Sequence, residues 1–101
     1  MHYVYILASK KNGTLYIGTT RDLEYRVLQH KAKVNDGFTK KYNVTKLVYF
    51  EEYDLAIESI TREKQMKKWK RKWKIDLIER FNPKWKDLAT GIEDGFLLPQ
   101  E

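Results

Sequence analysis

The chain has 101 residues, of which 42% are hydrophobic and 34% are charged, and this balance predicts one globular domain with a modest core. No apolar run reaches the ~18 residues that a membrane span needs, and the amino-terminal residues lack the features of a signal peptide. The absence of cysteine excludes disulfides, thiolate catalysis and cysteine-ligated zinc. It fits the reducing cytoplasm, where we expect the protein to act.

The charge balance points to a polyanionic partner. A net charge of +6 and an isoelectric point near 9.5 favour DNA, RNA or an acidic membrane surface, although ordinary solubility would also account for them. The aromatic content of 14% adds side chains on which bases can stack. Together these features favour nucleic acid, with DNA as the expected partner and RNA as the alternative.

The hydrophobic pattern predicts a small α+β domain, a three-stranded antiparallel sheet flanked by helices in the order ββαβαα. Asn12-Gly13, typical of a tight hairpin turn, separates two alternating β-rich segments. Asp22 is a suitable N-cap, and Asn82-Pro83 ends the last helical region. The predicted elements are strands at 2–8, 14–20 and 46–53, a helix at 21–33, a loop at 34–45, and a helical region from Leu55 to about Phe81 that breaks or kinks near 68–72.

The hairpin turn determines which side chains meet. With these two residues at the centre of the turn, Leu7 pairs with Gly18 and Tyr5 with Thr20. Glycine weakens a strand and packs nothing, so Gly18 predicts either a bulge or a close approach to the backbone. The predicted faces are Tyr3, Tyr5, Leu7, Tyr16 and Gly18 on one side, and the aliphatic Val4, Ile6, Leu15 and Ile17, the expected core side, on the other.

Arg26 and His30 lie on the same face of the first helix as Leu23 and Val27, because these residues follow one another at i, i+3, i+4 and i+7. Taken alone, they are typical of an arginine that extends to solvent and a histidine at the rim of a core.

Glu63 falls on a core-facing stripe with Ala56, Ile60 and Met66. A carboxylate there is costly unless it is paired or binds a cation. Two interpretations of Glu63 remain open. It forms an ion pair with a nearby lysine or with Arg26, or it is a metal ligand.

Residues 61–74 are rich in Lys and Arg, interleaved with Trp69 and Trp73. The basic face can follow phosphates by counterion release, or it can be only a solvated face. A second apolar stripe is out of phase with the first, which predicts the helix break. Its members are Trp73, Leu77, Ile78 and Phe81. We expect the tryptophans mostly inside and the lysines outside.

These segments together resemble the GIY-YIG nuclease domain. Tyr16-Ile17-Gly18 matches the second tyrosine motif of that family letter for letter, and Tyr3-Val4-Tyr5 stands at the first motif without its leading glycine. The Arg–His helix, the later glutamate and the asparagine after the last helix follow in the family's order. The resemblance covers residues 1 to about 88, followed by a tail at 89–101. It is closest to small stand-alone bacterial members of a family that includes the nuclease domain of the excinuclease C subunit and homing endonucleases.

The resemblance implies hydrolysis of a DNA phosphodiester bond with one divalent metal, Mg²⁺ or Mn²⁺. It implies catalytic roles for Tyr5, Tyr16, Arg26, His30 and Glu63, with Glu63 as the metal ligand. Gly18 would leave the backbone bare for the scissile phosphate, and Asn82 would support the site or cap a helix. Further nucleic-acid contacts are expected from Lys40, Lys41, Lys67, Lys68, Lys70 and Arg71.

Some family members carry a lysine just after the second tyrosine motif, where this chain has Thr19 and Thr20. A phenol near pKa 10 is a poor base at pH 7 unless cations lower its pKa. Lys40, Lys41 or His30 would have to supply that charge, and activity is expected to be weak without it. The rival hypotheses are a non-catalytic nucleic-acid-binding module and an accessory protein whose basic helix docks on an acidic partner. We expect a structure-selective enzyme of repair or recombination, acting as a homodimer or with repair proteins where affinity requires it.

Overall fold

The computed structural model describes residues 1–32 and 41–89. The elements are β1 (His2–Ala8), β2 (Leu15–Thr20), α1 (Leu23–Ala32), β3 (Lys46–Tyr53), α2 (Ala56–Lys68) and α3 (Arg71–Phe81). The strands form one antiparallel sheet in the order β2-β1-β3. The α+β class and the ββαβαα order are therefore confirmed. Within the described ranges, none of the helices has the length and apolar character of a membrane span.

Part of the predicted loop at 34–45, including Lys40, and most of the predicted tail lie outside the described residues. Lys41 and Tyr42 are helical, so the loop prediction is wrong for these two positions. The predicted boundaries of the third strand, 46–53, agree with the structure.

The hairpin turn is longer than the two-residue turn predicted. The Ser9 N–H donates to the Thr14 carbonyl at 3.0 Å, and the Gly13 N–H donates to the Lys10 carbonyl at 2.9 Å. Asn12 has φ 58°, a left-handed conformation that asparagine tolerates better than most residues. Asn12-Gly13 does form the turn, but as the third and fourth residues of a four-residue turn.

This longer turn moves the β1–β2 pairing by two residues from the predicted register. Tyr5 lies opposite Gly18 and Leu7 opposite Tyr16, so the predicted partners were wrong. A shift of two residues leaves every side chain on its predicted face, because side chains in a strand alternate with a period of two. The phenols and Gly18 therefore share a face as predicted.

Helices cover both faces of the sheet, so the aliphatic face is only one of two core-facing sides. Residues of α2 and α3 pack on that face, and residues of α1 pack on the phenol-bearing face. The first core contains Val4, Ile6, Ile17, Met66, Ile78 and Trp85. The second contains Tyr5, Leu7, Leu23, Val27, Leu47 and Leu88.

The predicted helix break lies at two extended residues between α2 and α3. Trp69 has φ −69° and ψ 151°, and Lys70 has φ −61° and ψ 148°. Arg71, at the start of α3, donates hydrogen bonds to the carbonyls of Asn12 and Gly13. The start of α3 is therefore tied to the hairpin turn.

The predicted apolar stripes are only partly correct. In α2, Met66 is buried as predicted, but Ala56 and Ile60 are exposed and Ser59 is buried instead. On the same helix, Arg62 reaches β3 and pairs with Glu51. In α3, Leu77 and Ile78 are buried, but Trp73 is 53% exposed and Phe81 is 40% exposed. Trp73 contacts Trp69 rather than a core, with ring centroids 6.3 Å apart, so the prediction that the tryptophans lie mostly inside is wrong for it.

Asn82 ends α3 and joins three segments. Its side-chain amide donates to the carbonyls of Val48, at 3.0 Å, and Lys86, at 2.9 Å. The oxygen of the same side-chain amide, Oδ1, accepts the Lys86 N–H at 3.0 Å. The next residues fold back on the sheet, with Trp85 fully buried. Asn82 is also the C-cap of α3, one of its two predicted roles, because its backbone N–H donates to the carbonyl of Ile78 at 2.7 Å.

Candidate active site

The centre of the candidate site is a buried tyrosine–histidine pair. The hydroxyl oxygen of Tyr5 lies 3.1 Å from Nε2 of His30, and the two residues are 1% and 0% exposed. Asp22 fixes the start of α1, because its carboxylate accepts the N–H of Tyr25 at 3.1 Å. From that start, the third turn of the helix brings His30 under the sheet. The predicted face is confirmed, but His30 is inside the core rather than at its rim.

Tyr16 extends this pair to the edge of the sheet. Its ring centroid lies 5.4 Å from that of His30 and 6.3 Å from that of Tyr5. Tyr16 is half-buried and belongs to β2, an edge strand. Three of the five predicted catalytic side chains therefore form one cluster, with two members buried and one at the surface. We call Tyr5, Tyr16 and His30 the Tyr–His cluster.

Gly18 admits the phenol of Tyr5. A Cβ atom at this position would lie 2.7 Å from the hydroxyl oxygen of Tyr5, 2.8 Å from its Cζ and 3.2 Å from Cε2 of Tyr16. The β1–β2 pairing runs regularly through this position. The bulge is therefore excluded, and the phenol of Tyr5 closely approaches the backbone at this position.

Arg26 lies on α1 one turn before His30, so the two side chains project from the same side of the helix. It is half-buried. Within the described ranges no ion-pair partner of Arg26 is found, and this includes Glu63, one of its predicted partners. A guanidinium that is not engaged by a carboxylate can bind a phosphate with two parallel hydrogen bonds.

Glu63 is separated from the Tyr–His cluster, because it comes from α2 on the opposite face of the sheet. Its side chain is 18% exposed, and its carboxylate lies 3.2 Å from Nζ of Lys67. The predicted pairing with a nearby lysine is confirmed. Among the described residues no group of three or more His, Asp or Glu side chains could hold a metal ion. One carboxylate still suits Mg²⁺, which keeps several waters and takes further ligands from a substrate phosphate.

A groove of about 290 Å³ is bordered by one residue of the Tyr–His cluster and by the ion-pair partner of Glu63. It is lined by Leu15, Tyr16, Ile17, Lys67 and Lys74. Tyr16 belongs to the Tyr–His cluster, and Lys67 is the partner of Glu63. The groove therefore runs along the edge of β2, with a phenol and two lysines in its wall. Such a groove can hold an anion, and we call it the β2 groove.

The residues predicted to contact nucleic acid are only partly available to do so. Lys41, Lys67, Lys68 and Lys70 are exposed. Arg71 is also exposed, but its guanidinium is bound to the hairpin turn. Lys74 lines the β2 groove and was not predicted, although it belongs to the same basic segment.

A second polar cluster, on β3, was missed by the sequence analysis. Arg62 binds Glu51 with two nitrogens, Nε and Nη2, each 3.0 Å from one carboxylate oxygen. The hydroxyls of Tyr49 and Tyr53 donate to the same carboxylate, Tyr53 at 2.7 Å. We call these four residues the Glu51 cluster. The alternation of Tyr49, Glu51 and Tyr53 along one face of the strand is the signal that could have found it.

The pKa values in this cluster follow from burial and hydrogen bonding. Burial alone would raise the pKa of Glu51, but hydrogen bonds from Arg62, Tyr49 and Tyr53 and the charge of Arg62 hold it below its usual value. Burial, followed by the hydrogen bond to Glu51, raises the pKa of Tyr53 to about 12. The same causes raise the pKa of Tyr49 further. The cluster is therefore fixed as a carboxylate with two neutral phenols near neutral pH.

Comparison with known proteins agrees with this geometry. Residues 1–76 match the family model of the GIY-YIG catalytic domain, and the chain belongs to this family. Its relatives include small proteins named UPF0213. The one from Staphylococcus saprophyticus is 36% identical over 77 residues, covering 76% of this chain and 93% of that protein. The one from Clostridium perfringens is 40% identical over 78 residues, covering 77% and 83%.

A solved structure supports the same assignment. The solution NMR structure of the UPF0213 protein BH0048 from Bacillus halodurans covers 85% of this chain and 90% of its own, with 27% sequence identity and a TM-score of 0.53. The predicted family is therefore confirmed. The UPF0213 names state no activity, metal or pathway.

Proposed function

We propose that this protein is a divalent-metal-dependent endonuclease that hydrolyses a phosphodiester bond of DNA. The observation that carries the proposal is the 3.1 Å contact between Tyr5 and His30, beside Tyr16 at the mouth of the β2 groove. A phenol joined to an imidazole can accept a proton from water and pass it on. Membership of the GIY-YIG family supports the reaction class.

Phosphodiester hydrolysis needs an activated water, a stabiliser of developing negative charge and help for the leaving oxygen. In our proposal Tyr5 gives its hydroxyl proton to Nε2 of His30 as it accepts a proton from the attacking water, so that the phenol stays neutral and the imidazole becomes protonated. The relay is needed because an ordinary phenol, with a pKa near 10, is almost entirely protonated at pH 7 and is a poor base by itself. Tyr16 orients the water or the phosphate. Tyr16 is also the alternative general base, because it is the more exposed phenol of the cluster.

Positive side chains hold the phosphate in this mechanism. Arg26 binds two phosphate oxygens and favours the more negative transition state. Lys67 and Lys74, in the wall of the β2 groove, add charge along the strand. The net charge of +6 adds attraction for the polyanion at longer range.

Glu63 is the residue that would hold Mg²⁺ or Mn²⁺, since it is a half-buried carboxylate whose ion-pair partner, Lys67, lines the β2 groove. The chemistry supplied by a bound metal is stabilisation of charge on a phosphate oxygen and on the leaving 3′-oxygen. The ammonium of Lys67 lies 3.2 Å from Glu63 and would have to leave this carboxylate for a metal ion to bind there. Because Lys67 also lines the β2 groove, a DNA phosphate in the groove would then be its partner. One small domain reads few bases, so we expect selection by DNA structure, as in repair or recombination.

A cleavage assay in low salt tests this proposal. The substrates are plain, nicked, flapped, branched and single-stranded DNA, each with Mg²⁺, with Mn²⁺ and with EDTA. Arg26→Ala and Glu63→Gln are the test variants, and Glu52→Gln is the matched control because Glu52 is an exposed carboxylate on β3. We expect metal-dependent cutting that falls at least ~100-fold in both test variants and is unchanged in the control.

The other outcomes are equally informative. Binding to every substrate without cutting would replace the enzyme by a non-catalytic nucleic-acid-binding module. Cutting by Glu63→Gln at the wild-type rate would show that the metal ligand is wrong. Salt-insensitive association with a protein, and no affinity for DNA, would support an accessory role.

A further inference from the structure

A second groove lies beside the junction of α2 and α3 and shares no lining residue with the β2 groove. Its volume is about 270 Å³. It is lined by Arg62, Trp69, Trp73, Asp76, Leu77 and Arg80. We call it the tryptophan groove. Nothing in the proposed mechanism uses any of these residues.

The walls of this groove include an aromatic surface. Trp73 is 53% exposed, which is unusual because tryptophan is highly buried on average. The rings of Trp69 and Trp73 meet edge to face at 74°, so Trp69 supports Trp73 without covering both of its faces. Arg62 lies over the ring of Trp69, 5.0 Å from its centroid, and is held by Glu51. Arg62 therefore holds the aromatic wall in place through its contact with Trp69.

The charges of the groove favour an anionic ligand. Arg62 is balanced by Glu51, and Asp76 by Lys72 at 3.5 Å. Arg80 is exposed and has no ion-pair partner among residues 1–32 and 41–89. The junction beside the groove also exposes Lys68 and Lys70. An aromatic wall next to an uncompensated cation matches a nucleotide, which has an aromatic base and an anionic phosphate.

We infer that the tryptophan groove binds an unpaired base of a nucleic-acid strand, with the base stacked on Trp73 and its phosphate near Arg80. This inference rests on the proposed function and names the substrate class. Lys67 and Lys74 face the β2 groove, while Trp69 and Trp73 face the tryptophan groove, so the two sites flank one basic segment. A strand could occupy both. The preferred substrate is then DNA with unpaired nucleotides beside the cut, because the bases of a plain duplex cannot stack on a side chain.

Binding measurements in EDTA, where no cleavage is needed, test this inference. The probes are a fluorescein-labelled single-stranded oligonucleotide, the same oligonucleotide with abasic positions, and a plain duplex. Trp73→Ala should weaken binding to the first probe about 5- to 100-fold, the range expected for loss of one base–aromatic stack. It should leave binding to the abasic and duplex probes unchanged. Trp73→Phe should restore most of the loss, and Tyr25→Ala, which removes an equally exposed aromatic from α1, should have no effect.

Each other result overturns the inference in a recognisable way. Equal weakening for the normal and abasic probes would show a loss of fold or charge rather than of stacking. Unchanged binding by Trp73→Ala would remove the base site and leave the endonuclease proposal intact if DNA is still cut. A change of sedimentation coefficient in Trp73→Ala, with unchanged DNA binding, would assign the groove to a protein contact. No binding to any probe would overturn both proposals.

Discussion

Two groups of tyrosines in this protein differ in the chemical group that their hydroxyls contact. In the Tyr–His cluster, Tyr5 is paired with the imidazole of His30. In the Glu51 cluster, Tyr49 and Tyr53 donate to a carboxylate that Arg62 already holds. Both clusters are attached to the same small sheet.

The difference in partner decides what each phenol can do. A carboxylate acceptor keeps the phenol protonated, and together with burial it raises the pKa of Tyr53 to about 12. Such a phenol cannot act as a base near neutral pH. An imidazole ordinarily titrates near neutrality, so it can take over a proton. The first cluster is therefore suited to proton transfer, and the second to holding β3 and α2 together.

The largest expected effect is on the cleavage rate, which should depend on the Tyr–His cluster and not on the Glu51 cluster. Tyr5→Phe removes the hydroxyl that contacts His30, and we expect the cleavage rate to fall about 10²- to 10⁴-fold, the usual contribution of general acid–base catalysis. Tyr53→Phe is the matched control, because it removes a phenol from the Glu51 cluster. Single-turnover cleavage of the preferred substrate measures both rates. Similar losses in the two variants would contradict the division of roles.

The second prediction concerns the free energy of unfolding, to which we expect the Glu51 cluster to contribute. Glu51→Ala leaves Arg62 without its carboxylate and two phenols without their acceptor. We expect the free energy of unfolding to fall by about 2–4 kcal/mol, since the group is half-buried and accepts charge-assisted hydrogen bonds. Urea denaturation measures this loss, with the exposed neighbour Glu52→Gln as the control. A loss no larger than that of the control would show that the cluster does not hold α2 in place.

The third prediction concerns the glycine beneath Tyr5. Gly18→Ala places a methyl group 2.7 Å from the Tyr5 hydroxyl oxygen, so the phenol must move away from its place beside His30. We expect a loss of about 1–3 kcal/mol of unfolding free energy, as for other overpacked sites, together with reduced cleavage.

A double-mutant cycle with Tyr5→Phe sharpens this prediction. The nearest clashing atom is the hydroxyl oxygen, which phenylalanine lacks. The double variant should therefore lose less stability than the sum of the single variants. Strict additivity would show that the hydroxyl is not the source of the strain, which would then come from the ring carbon Cζ at 2.8 Å.

The sequence was sufficient for features that depend on local pattern. Strand faces were predicted correctly although the pairing was wrong by two residues, because an even shift preserves side-chain alternation. The helix break was visible as a change of phase between two apolar stripes. Arg26 and His30 were placed on one face by helical spacing, which needs only the start of α1.

Features that depend on how α2 docks could not be predicted in this way. The contact between Arg62 and Glu51 joins α2 to β3, and although the alternation along β3 marks Glu51, no local pattern identifies Arg62 as its partner. In the observed orientation of α2, Ala56 and Ile60 face solvent. Trp73 is likewise exposed, although it shares its predicted stripe with the buried Leu77 and Ile78. For the same reason the sequence showed that Glu63 needs a partner, but not that Lys67 is the one.

The smallest expected effect is the pH dependence of the Glu51 cluster. The folded pKa of Tyr53 is about 12, against an ordinary value of 10.0. Its contribution is therefore complete below pH 10 and is lost as the pH rises to 12, because only the unfolded chain ionises easily there. For Glu51 the folded pKa is lowered, so its contribution is present above the ordinary value of 4.5 and is lost on acidification. After allowance for solvent screening we expect about 1 kcal/mol for the loss on the alkaline side. On the acid side we expect a loss of stability as Glu51 is protonated.

Comparison of wild type with Glu51→Gln and Tyr53→Phe separates these two contributions, with unfolding free energies measured from pH 3 to pH 12. Glu51→Gln should remove the acid loss, whereas Tyr53→Phe should remove only the alkaline loss. In Glu51→Gln the alkaline loss should shrink without disappearing, because burial is the largest cause of the raised pKa of Tyr53 and the carboxylate only adds to it. Complete disappearance would mean that the carboxylate alone keeps this phenol neutral, and parallel curves for all three proteins would mean that the cluster does not titrate with folding.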